Sequence, residues 1–426
     1  MKRLSFDQSP YVAIWETTRA CDLACLHCRA EAIKWRHPLE LSTRESLQLV
    51  DQVSQCGNPL FALTGGDPMK RPDLLEVIPY AVQKGLRVAM TPSGTPLMTR
   101  QAVTQLKEAG LSRLAVSLDG STADIHDRFR QVTGSYGWTM DCIDHAHEVN
   151  LPVQINTTVS RHNLDDLPST ANLLLTKGIA LWSVFFLVPT GRGKAEDEIS
   201  ADDYERIFHF LADLSLTAPF DIKTTAAPHY RRVLLQRLKE IRRDQRPQRL
   251  SEAGPIGRAA GVNEGRGFLF VSHTGEIYPS GFLPISAGNV RNDSLIDVYR
   301  NSALFRDLRN TSKLKGKCGD CEFKEVCSGS RARAYAMTGD YLAEEPFCSY
   351  IPGKTLSARF AGELELPSKP NMTLGSLAAN QVHTESNAGR LGESGRGRAE
   401  RLAYNGDATL GGRISPDTDY RKEISL

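Results

Sequence analysis

The sequence predicts an α/β protein built on a parallel sheet. Between residues 11 and 189, short apolar runs typical of strands alternate with amphipathic segments typical of helices. Repeated strand–helix units of this kind build either an open doubly wound sheet or a partial barrel, and both place their sites at the carboxyl ends of the strands. Small and polar residues follow several of these strands, so one rim of the sheet is the expected functional site.

Each predicted strand is a short apolar run bounded by turn residues, and the six runs are 11–17, 60–64, 87–91, 113–118, 153–159 and 181–188. Helices are expected between them over 42–55, 72–83, 100–109, 136–149 and 167–177. The first helix has the clearest start, because Ser42 followed by Glu45 matches a capping box. Residues 201–243 also have a helical pattern.

Four segments follow from these patterns. We expect a core at 8–200, a helical linker region at 201–262, and a second module at 263–354 that starts with short strand signals around a turn at 273–275. The basic run 242–249 is interpreted as a solvated face of the linker. Residues 355–426 are rich in Gly, Ser, Asn and Arg without an apolar period, which predicts a disordered tail.

The composition excludes several classes of protein. Of the 426 residues 40% are hydrophobic, enough to fill a large core, and 52 basic side chains nearly balance 50 acidic ones. This balance supplies no drive toward nucleic acid or an anionic membrane. No apolar stretch is long enough to span a bilayer, and no apolar run follows Lys2 and Arg3 as a secretory signal requires. We expect a cytoplasmic protein with no nucleic-acid or membrane partner.

The cysteines carry the clearest chemical signal. Structural disulfides are not expected in a reducing compartment, so the spacing of the nine cysteines indicates metal or redox chemistry. Cys56 and Cys142 lie inside helical patterns and are interpreted as small buried hydrophobes. The other seven form two groups, which are Cys21, Cys25 and Cys28 near the N-terminus and Cys318, Cys321, Cys327 and Cys348 far downstream.

The first group places three thiols within eight residues, directly after the first strand. Four thiolates close a structural site, whereas three leave a metal position open to another ligand, which suggests reactivity. The alternative from spacing alone is a zinc site completed by His27 or His37.

The C-x3-C-x2-C pattern after a first strand, together with a second strand ending in Thr64-Gly65-Gly66-Asp67-Pro68, resembles the radical S-adenosylmethionine (radical SAM) enzymes. This resemblance implies a partial (β/α)6 TIM-like barrel. It also implies that the three cysteines hold a 4Fe-4S cluster whose open iron binds the methionine part of S-adenosylmethionine. Gly65, Gly66 and Asp67 would then contact that cofactor, with Asp67 as an acceptor near the methionine ammonium group.

Other residues gain expected roles from the same resemblance. Ser117 and Asp119, in Ser-Leu-Asp-Gly, correspond to a segment that contacts ribose and methionine, and a strand ending in an Asp-Gly turn is the alternative. Arg130 would pair with the methionine carboxylate or form a surface salt bridge. Asn156 would hydrogen-bond the adenosine part or serve as a satisfied core amide.

The second group supplies four thiols and therefore a closed site, for which a zinc ribbon is one interpretation. Beside a radical SAM core, the spacing C-x2-C-x5-C with a distant cysteine resembles the SPASM or twitch extension, a small α+β module that implies an auxiliary 4Fe-4S cluster. Ser280 stands where many members have the first cysteine of a further cluster. One auxiliary cluster is therefore expected, held by Cys318, Cys321, Cys327 and Cys348.

Residues 327–348 look most like the members that process tetrapyrroles in haem biosynthesis. Arg331 and Arg333 are expected either to bind substrate carboxylates or to pair with Glu322 or Asp340. The resemblance thus implies an enzyme that reductively cleaves S-adenosylmethionine and abstracts hydrogen from a tetrapyrrole, leading to side-chain decarboxylation or propionate removal. A flavodoxin or ferredoxin would donate the electron.

Two alternatives remain at this point. The first is a maturase of a ribosomally made peptide, because the same extension is common in that group. It is disfavoured because only about ten residues precede the first strand, which leaves no room there for a peptide-binding region. The second is a noncatalytic zinc or electron-transfer protein in which both cysteine groups only hold metal.

Overall fold

The sheet of the protein contains nine strands in one continuous order. The computed structural model describes residues 5–244 and 261–353. The strands are β1 (Val12–Glu16), β2 (Leu60–Thr64), β3 (Arg87–Met90), β4 (Arg113–Ser117), β5 (Val153–Val159), β6 (Leu181–Phe186), β7 (Asp221–Thr225), β8 (Phe268–Val271) and β9 (Ile277–Tyr278). Their spatial order is β7-β6-β5-β4-β3-β2-β1-β8-β9, with every pair parallel except β8–β9. The sheet curls into a half-barrel.

Helices connect the parallel strands and cover the convex side of the sheet. They are α1 (Thr43–Ser54), α2 (Leu74–Gln83), α3 (Arg100–Glu108), α4 (Ala123–Arg130), α5 (Ser135–Glu148), α6 (Leu167–Leu175), α7 (Ala201–Leu214), α8 (Tyr230–Asp244), α9 (Leu295–Asn301), α10 (Ala303–Arg309), α11 (Gly316–Asp320) and α12 (Arg331–Thr338). The capping box predicted at Ser42 and Glu45 is present at the start of α1.

Side chains of each strand alternate between the two faces of the sheet. Trp15 and Phe61 point outward, where their rings stack at 6.4 Å and join the apolar core under the helices. Within each strand, the residues that alternate with these outward-pointing ones face the concave side of the half-barrel. One concave row runs across four strands, because the register pairs Ser117 with Asn156, Asn156 with Ser183, and Ser183 with Lys223.

The first six strands lie where the sequence predicts them, but the half-barrel continues beyond them. The segment interpreted as a helical linker contains the parallel strand β7 between α7 and α8. This strand reads Asp-Ile-Lys-Thr-Thr and lies at the sheet edge, so it has no continuous apolar run. The second module also joins the sheet directly, since β8 pairs in parallel with β1.

Two predictions fall outside the part of the chain that the structure describes: the tail at 355–426 and most of the basic run 242–249. Among the described residues, no helix combines the length and apolarity that crossing a bilayer requires.

Candidate active site

The N-terminal cysteine group lies in the irregular loop between β1 and α1. Cys25 is buried, whereas Cys21 and Cys28 are half-buried. The loop turns tightly, with the Cys28 amide donating to the Cys25 carbonyl at 3.3 Å and the Cys21 amide donating to Ile33 at 2.9 Å. Burial raises the pKa of Cys25 and raises the pKa of Cys21 to about 11. Without a bound cation, these thiols keep their protons near neutral pH.

The two glycines after β2 hold this loop in place. The Gly66 amide donates to the Thr18 carbonyl at 2.7 Å, and the Asp67 amide donates to the Ala20 carbonyl at 2.6 Å. A Cβ atom on Gly65 would lie 2.5 Å from the Thr18 carbonyl oxygen, and one on Gly66 would lie 2.5 Å from that of Ala20. Only glycine permits this approach of two backbones, so the glycines position the cysteines.

The Asp67 carboxylate points into the protein. It is fully buried and accepts hydrogen bonds from the amides of Met69 and Ser93 and from the Thr95 hydroxyl, the last at 2.8 Å. Burial raises the pKa of this carboxyl. Its oxygens are thus engaged with the loops after β2 and β3, a geometry that suits positioning of these loops.

Ser93, which lies shortly after the end of β3, links the two loops. Its hydroxyl donates to the Gly66 carbonyl at 2.6 Å, and its oxygen lies 3.2 Å from the Cys21 sulfur. A hydroxyl following a predicted strand end was the only sequence signal for this contact.

Asp119 and Arg130 form a buried ion pair next to Cys25. Asp119 lies just beyond the end of β4 and also accepts from the Thr158 amide at 2.7 Å. Nη1 of Arg130 lies 3.5 Å from the Cys25 sulfur. Although burial disfavours its charge, Asp119 and Cys25 raise the pKa of Arg130. The expectation of a surface salt bridge for Arg130 is wrong, because both partners are buried.

Ser117 and Asn156 are direct neighbours on β4 and β5. Ser117 is half-buried, whereas Asn156 is mostly buried and accepts a hydrogen bond at its side-chain oxygen from Gln154 at 2.8 Å. Both lie on the concave face that continues upward to Asp119. The structure therefore brings the predicted contacts of β4 and β5 to one wall of the half-barrel.

The loop after β6, which follows the end of a predicted strand, closes against the cysteine loop through Arg192, a residue to which sequence reasoning assigned no role. The Arg192 amide donates to the Cys28 carbonyl at 3.0 Å, and Nε of Arg192 donates to the Cys25 carbonyl at 3.0 Å. Gly191 has a φ of +64°, and a Cβ atom there would lie 2.4 Å from the Arg29 carbonyl oxygen. The glycines that flank Arg192 were the available sequence signal, but they indicated only a turn.

The two histidines offered as zinc ligands have other surroundings. The His27 ring stacks on Phe129 at 4.5 Å, and His37 packs edge-on against His273. Within residues 5–244 and 261–353, no three His, Cys, Asp or Glu side chains converge as ligands of one metal ion. The thiolates of an iron–sulfur cluster bind different irons and do not need this convergence.

The second cysteine group lines one small cavity of about 20 Å³, shared with His229, Arg232, Lys317 and Lys324. Its four sulfurs come from two separate segments, one around α11 and one at Cys348. Burial raises the pKa of Cys327 to about 12 and that of Cys348 to about 11. The cationic walls suit a group that becomes anionic when thiolates bind it.

Arg331 and Arg333 are fully buried and do not reach their predicted partners. Nη2 of Arg331 instead lies 3.9 Å from the Cys318 sulfur. Arg333 pairs with Glu198 at 3.0 Å and with Glu345 at 3.3 Å. Arg331 donates to backbone carbonyls, including that of Ala343 at 2.6 Å. Both expectations for these arginines are therefore wrong. They instead attach α12 to the half-barrel, since Arg333 also donates to the Leu187 carbonyl.

Comparisons with known proteins agree with these features. Residues 15–174 match the profile of the Radical SAM superfamily, and residues 263–322 match that of an iron-sulfur cluster-binding domain. An AdoMet-dependent heme synthase of Methanosarcina barkeri is 42% identical over 351 residues, which cover 82% of this chain and 99% of that relative. The chain is a radical SAM enzyme.

Other radical SAM proteins are more distant. A mycofactocin maturase MftC of Mycobacterium tuberculosis is 28% identical over 342 residues, covering 78% of this chain and 80% of that protein. Streptococcus suis SuiB bound to S-adenosylmethionine shares the fold, with a TM-score of 0.63, 15% identity, and coverage of 80% of this chain and 78% of SuiB.

These matches confirm the predicted partial barrel and the predicted cofactors of this radical SAM enzyme. It uses a catalytic 4Fe-4S cluster, S-adenosylmethionine and an auxiliary iron–sulfur cluster. The noncatalytic metal protein considered above is thereby ruled out. Two sets of thiols in the structure fit these two clusters. Three thiols lie beside the glycine loop, and four thiols line the cationic cavity.

Proposed function

We propose that this radical SAM enzyme acts in haem biosynthesis on an iron tetrapyrrole, by decarboxylation or removal of a propionate side chain. The supporting observation is the 42% identity to an AdoMet-dependent heme synthase along 99% of that relative. The mycofactocin maturase, a maturase by name, reaches 28%. A tetrapyrrole substrate is therefore favoured over a peptide.

In this proposal Cys21, Cys25 and Cys28 hold the catalytic cluster, and Cys318, Cys321, Cys327 and Cys348 hold the auxiliary one. When bound, the catalytic cluster and S-adenosylmethionine supply one-electron cleavage of the sulfonium and a radical that removes a substrate hydrogen atom. The chain itself orients these groups and excludes water around them.

The residues near the first cysteine group would help to orient the cluster and S-adenosylmethionine. Gly65, Gly66 and Asp67 would hold the methionine end through the loop whose backbone they fix. The Arg130 guanidinium, kept in place by Asp119, would stabilise the Cys25 thiolate because it lies 3.5 Å from the sulfur.

Ser117 and Asn156 would contact the adenosine and ribose part. Their position supports this role, since they are neighbours on the concave wall just below Asp119. The Asn156 side-chain nitrogen has no hydrogen-bond partner among the described residues, whereas its oxygen is taken by Gln154. A purine or ribose acceptor would satisfy that nitrogen.

We also propose a flavodoxin or ferredoxin as the electron donor, since the cleavage consumes one low-potential electron and amino-acid side chains do not supply it. A cytoplasmic location follows from the same chemistry. All nine cysteines are free thiols, which a reducing compartment preserves.

The test is anaerobic turnover of the reconstituted enzyme with S-adenosylmethionine, a reductant and an iron porphyrin carrying propionate groups. We expect deoxyadenosine and the modified porphyrin in proportion, measured by mass spectrometry. Deoxyadenosine without any change in the porphyrin would contradict the proposed substrate. Turnover of a peptide under the same conditions would favour the maturase alternative.

A further inference from the structure

Lys223 is a cation on the concave face that the chemistry described so far does not use. It lies on β7 in register with Ser183, and so belongs to the same row as Ser117 and Asn156. With strands about 4.8 Å apart, it lies roughly 14 Å along the sheet from Ser117. This separation leaves room for a substrate between the proposed adenosine contacts and Lys223.

A second cation faces the same space. Arg113 begins β4 and alternates with Ala115 and Ser117, which places it on the concave face. Although β4 and β7 are separated by two strands, the charges of Arg113 and Lys223 interact, because the sheet curls and both side chains are long. Desolvation by the surrounding wall together with the Arg113 charge lowers the pKa of Lys223 to about 8, although the side chain is exposed to solvent.

Neither cation has a partner. In the ranges that the structure describes, Lys223 and Arg113 form no ion pair and no side-chain hydrogen bond. Asp221, two residues before Lys223, attracts Arg113 electrostatically but is not bonded to it. The two like charges repel each other across the concave face, and Asp221 does not offset this, since the pKa of Arg113 stays lowered. An anionic ligand would remove this penalty.

The surrounding surface suits an extended flat ligand. The rings of Phe185, which follows Ser183 on the concave face by two residues, and Phe282 are both half-buried, with centroids 6.4 Å apart. The hydroxyls of Ser183 and Thr225 lie 3.2 Å apart next to Lys223. Apolar rings beside polar groups and separated cations match a planar macrocycle with carboxylate side chains.

We propose that Lys223 and Arg113 form a carboxylate-binding site inside the half-barrel that holds a propionate group of the substrate. The identity of the substrate rests on the proposed function, whereas the carboxylate chemistry rests on the two unpartnered cations. The site would set the position of the macrocycle relative to the reacting end of the half-barrel.

The test compares an iron porphyrin carrying four propionate groups with its tetramethyl ester, titrated against the anaerobic holoenzyme by visible absorbance. We expect wild type to bind the acid at least about tenfold more tightly than the ester. Lys223→Met and Arg113→Met should each lose about tenfold affinity for the acid and none for the ester. Lys223→Arg should retain most of it, and Lys107→Met, on the exposed side of α3, is the matched control.

Equal binding of acid and ester by wild type, or equal losses for both ligands in the variants, would overturn the carboxylate site. Turnover separates this result from the proposed function. If wild type removes propionate and Lys223→Met does so with unchanged KM, the site is wrong and the function stands. If wild type prefers the acid but never modifies it, the site stands and the proposed reaction fails.

A second, independent observation concerns His229 in the cavity of the four cysteines. The residue is 1% exposed, and neither ring nitrogen has a hydrogen-bond partner among the described residues. Tyr204 stacks on the ring at 5.3 Å and Phe208 packs edge-on at 4.5 Å, so the aromatic neighbours offer no acceptor. Buried polar groups nearly always have a partner.

We infer that a ring N–H of His229 donates a hydrogen bond to a sulfur of the auxiliary cluster. His229 is then a positioning residue that stabilises the more negative, reduced cluster. His229→Phe should lower the midpoint potential of the auxiliary cluster and alter its electron paramagnetic resonance signal. The catalytic cluster in the same sample is the internal control.

His229→Gln keeps a donor and should restore most of the wild-type potential. Retention of the auxiliary iron in the Gln variant but not in the Phe variant would also support the hydrogen bond. An unchanged potential and signal in His229→Phe, or loss of the auxiliary iron in both variants, would overturn it.

Discussion

The N-terminal cysteine group lies in one loop at the rim of the half-barrel, whereas the C-terminal group encloses a cavity between two segments. Both groups lie near a buried arginine that is paired with a carboxylate. Arg130 pairs with Asp119 beside Cys25, and Arg232 pairs with Glu205 while lining the second cavity. A buried arginine held by a carboxylate thus accompanies both groups.

The groups differ in the number of thiols and in what faces them. The three thiols lie at the rim, where Cys21 contacts Ser93 and Cys25 contacts Arg130, while the four thiols line a cavity with cations and His229. An arginine–carboxylate pair thus accompanies either kind of cysteine group, whereas reactivity requires a missing thiolate on the side where the cofactor and substrate lie.

The largest expected effect separates the two groups directly. Cys25→Ala should abolish deoxyadenosine formation and remove the catalytic cluster's share of the iron, because that cluster loses a ligand. Cys321→Ala should remove the auxiliary iron but retain substrate-independent cleavage of S-adenosylmethionine. Iron analysis and product chromatography measure both, with the buried Cys142→Ala as the control. Continued formation of deoxyadenosine by Cys25→Ala would show that the N-terminal group does not hold the catalytic cluster.

The importance of the two buried arginine–carboxylate pairs is tested by replacing the arginine of each pair. Arg130→Met leaves Asp119 buried without a counterion, which costs about 3–5 kcal/mol of unfolding free energy. Arg232→Met should cost a similar amount through Glu205, since that pair is equally buried.

Urea denaturation of the reconstituted protein measures both costs. Arg128→Met is the matched control, because Arg128 lies on the same helix in an exposed pair with Asp124, worth about 0.5 kcal/mol. An effect of Arg130→Met no larger than this control would show that the ion pair is not important for either stability or the site.

A third effect concerns how the cysteine loop is positioned. Gly66→Ala places a Cβ atom 2.5 Å from the Ala20 carbonyl oxygen, so the loop must shift. A displacement of about 1 Å at a reacting centre costs about 100-fold in rate. We expect that loss in S-adenosylmethionine cleavage, with the auxiliary cluster intact. Gly137→Ala, where nothing lies within 4 Å of the new atom, should leave activity unchanged.

The smallest expected effect comes from removing a single hydroxyl beside the catalytic cluster. Ser93→Ala removes the hydrogen bond to Gly66 and the contact with Cys21, worth about 1 kcal/mol together. The catalytic cluster should be lost a few times faster on incubation with a chelator. Ser328→Ala, adjacent to Cys327, removes a hydrogen bond to Lys324 only and serves as the control for the second group. Equal cluster lifetimes in wild type and Ser93→Ala would contradict the role of Ser93.

Much of the fold could be predicted from the sequence, because apolar runs and capping residues are local patterns that mark strands and helix starts. β1–β6 fall on the predicted apolar runs, and the capping box starts α1 as expected. β7 and α4 were not predicted, since an edge strand and a short polar helix bury too few side chains to show a period. The predicted burial of Cys56 and Cys142 is confirmed.

The chemistry of the protein can be read from its amino-acid sequence, which shows two cysteine spacings, three thiols in one group and four in the other, and a glycine pair at the end of the second strand. These features are local and therefore visible in chain order. Which side chains surround the cysteines depends on the three-dimensional fold. Side chains 89 to 135 residues apart in sequence become neighbours in this way, namely Arg333 and Glu198, Lys223 and Arg113, and His229 and Cys318. Strand order and sheet curvature, not sequence distance, set which side chains meet.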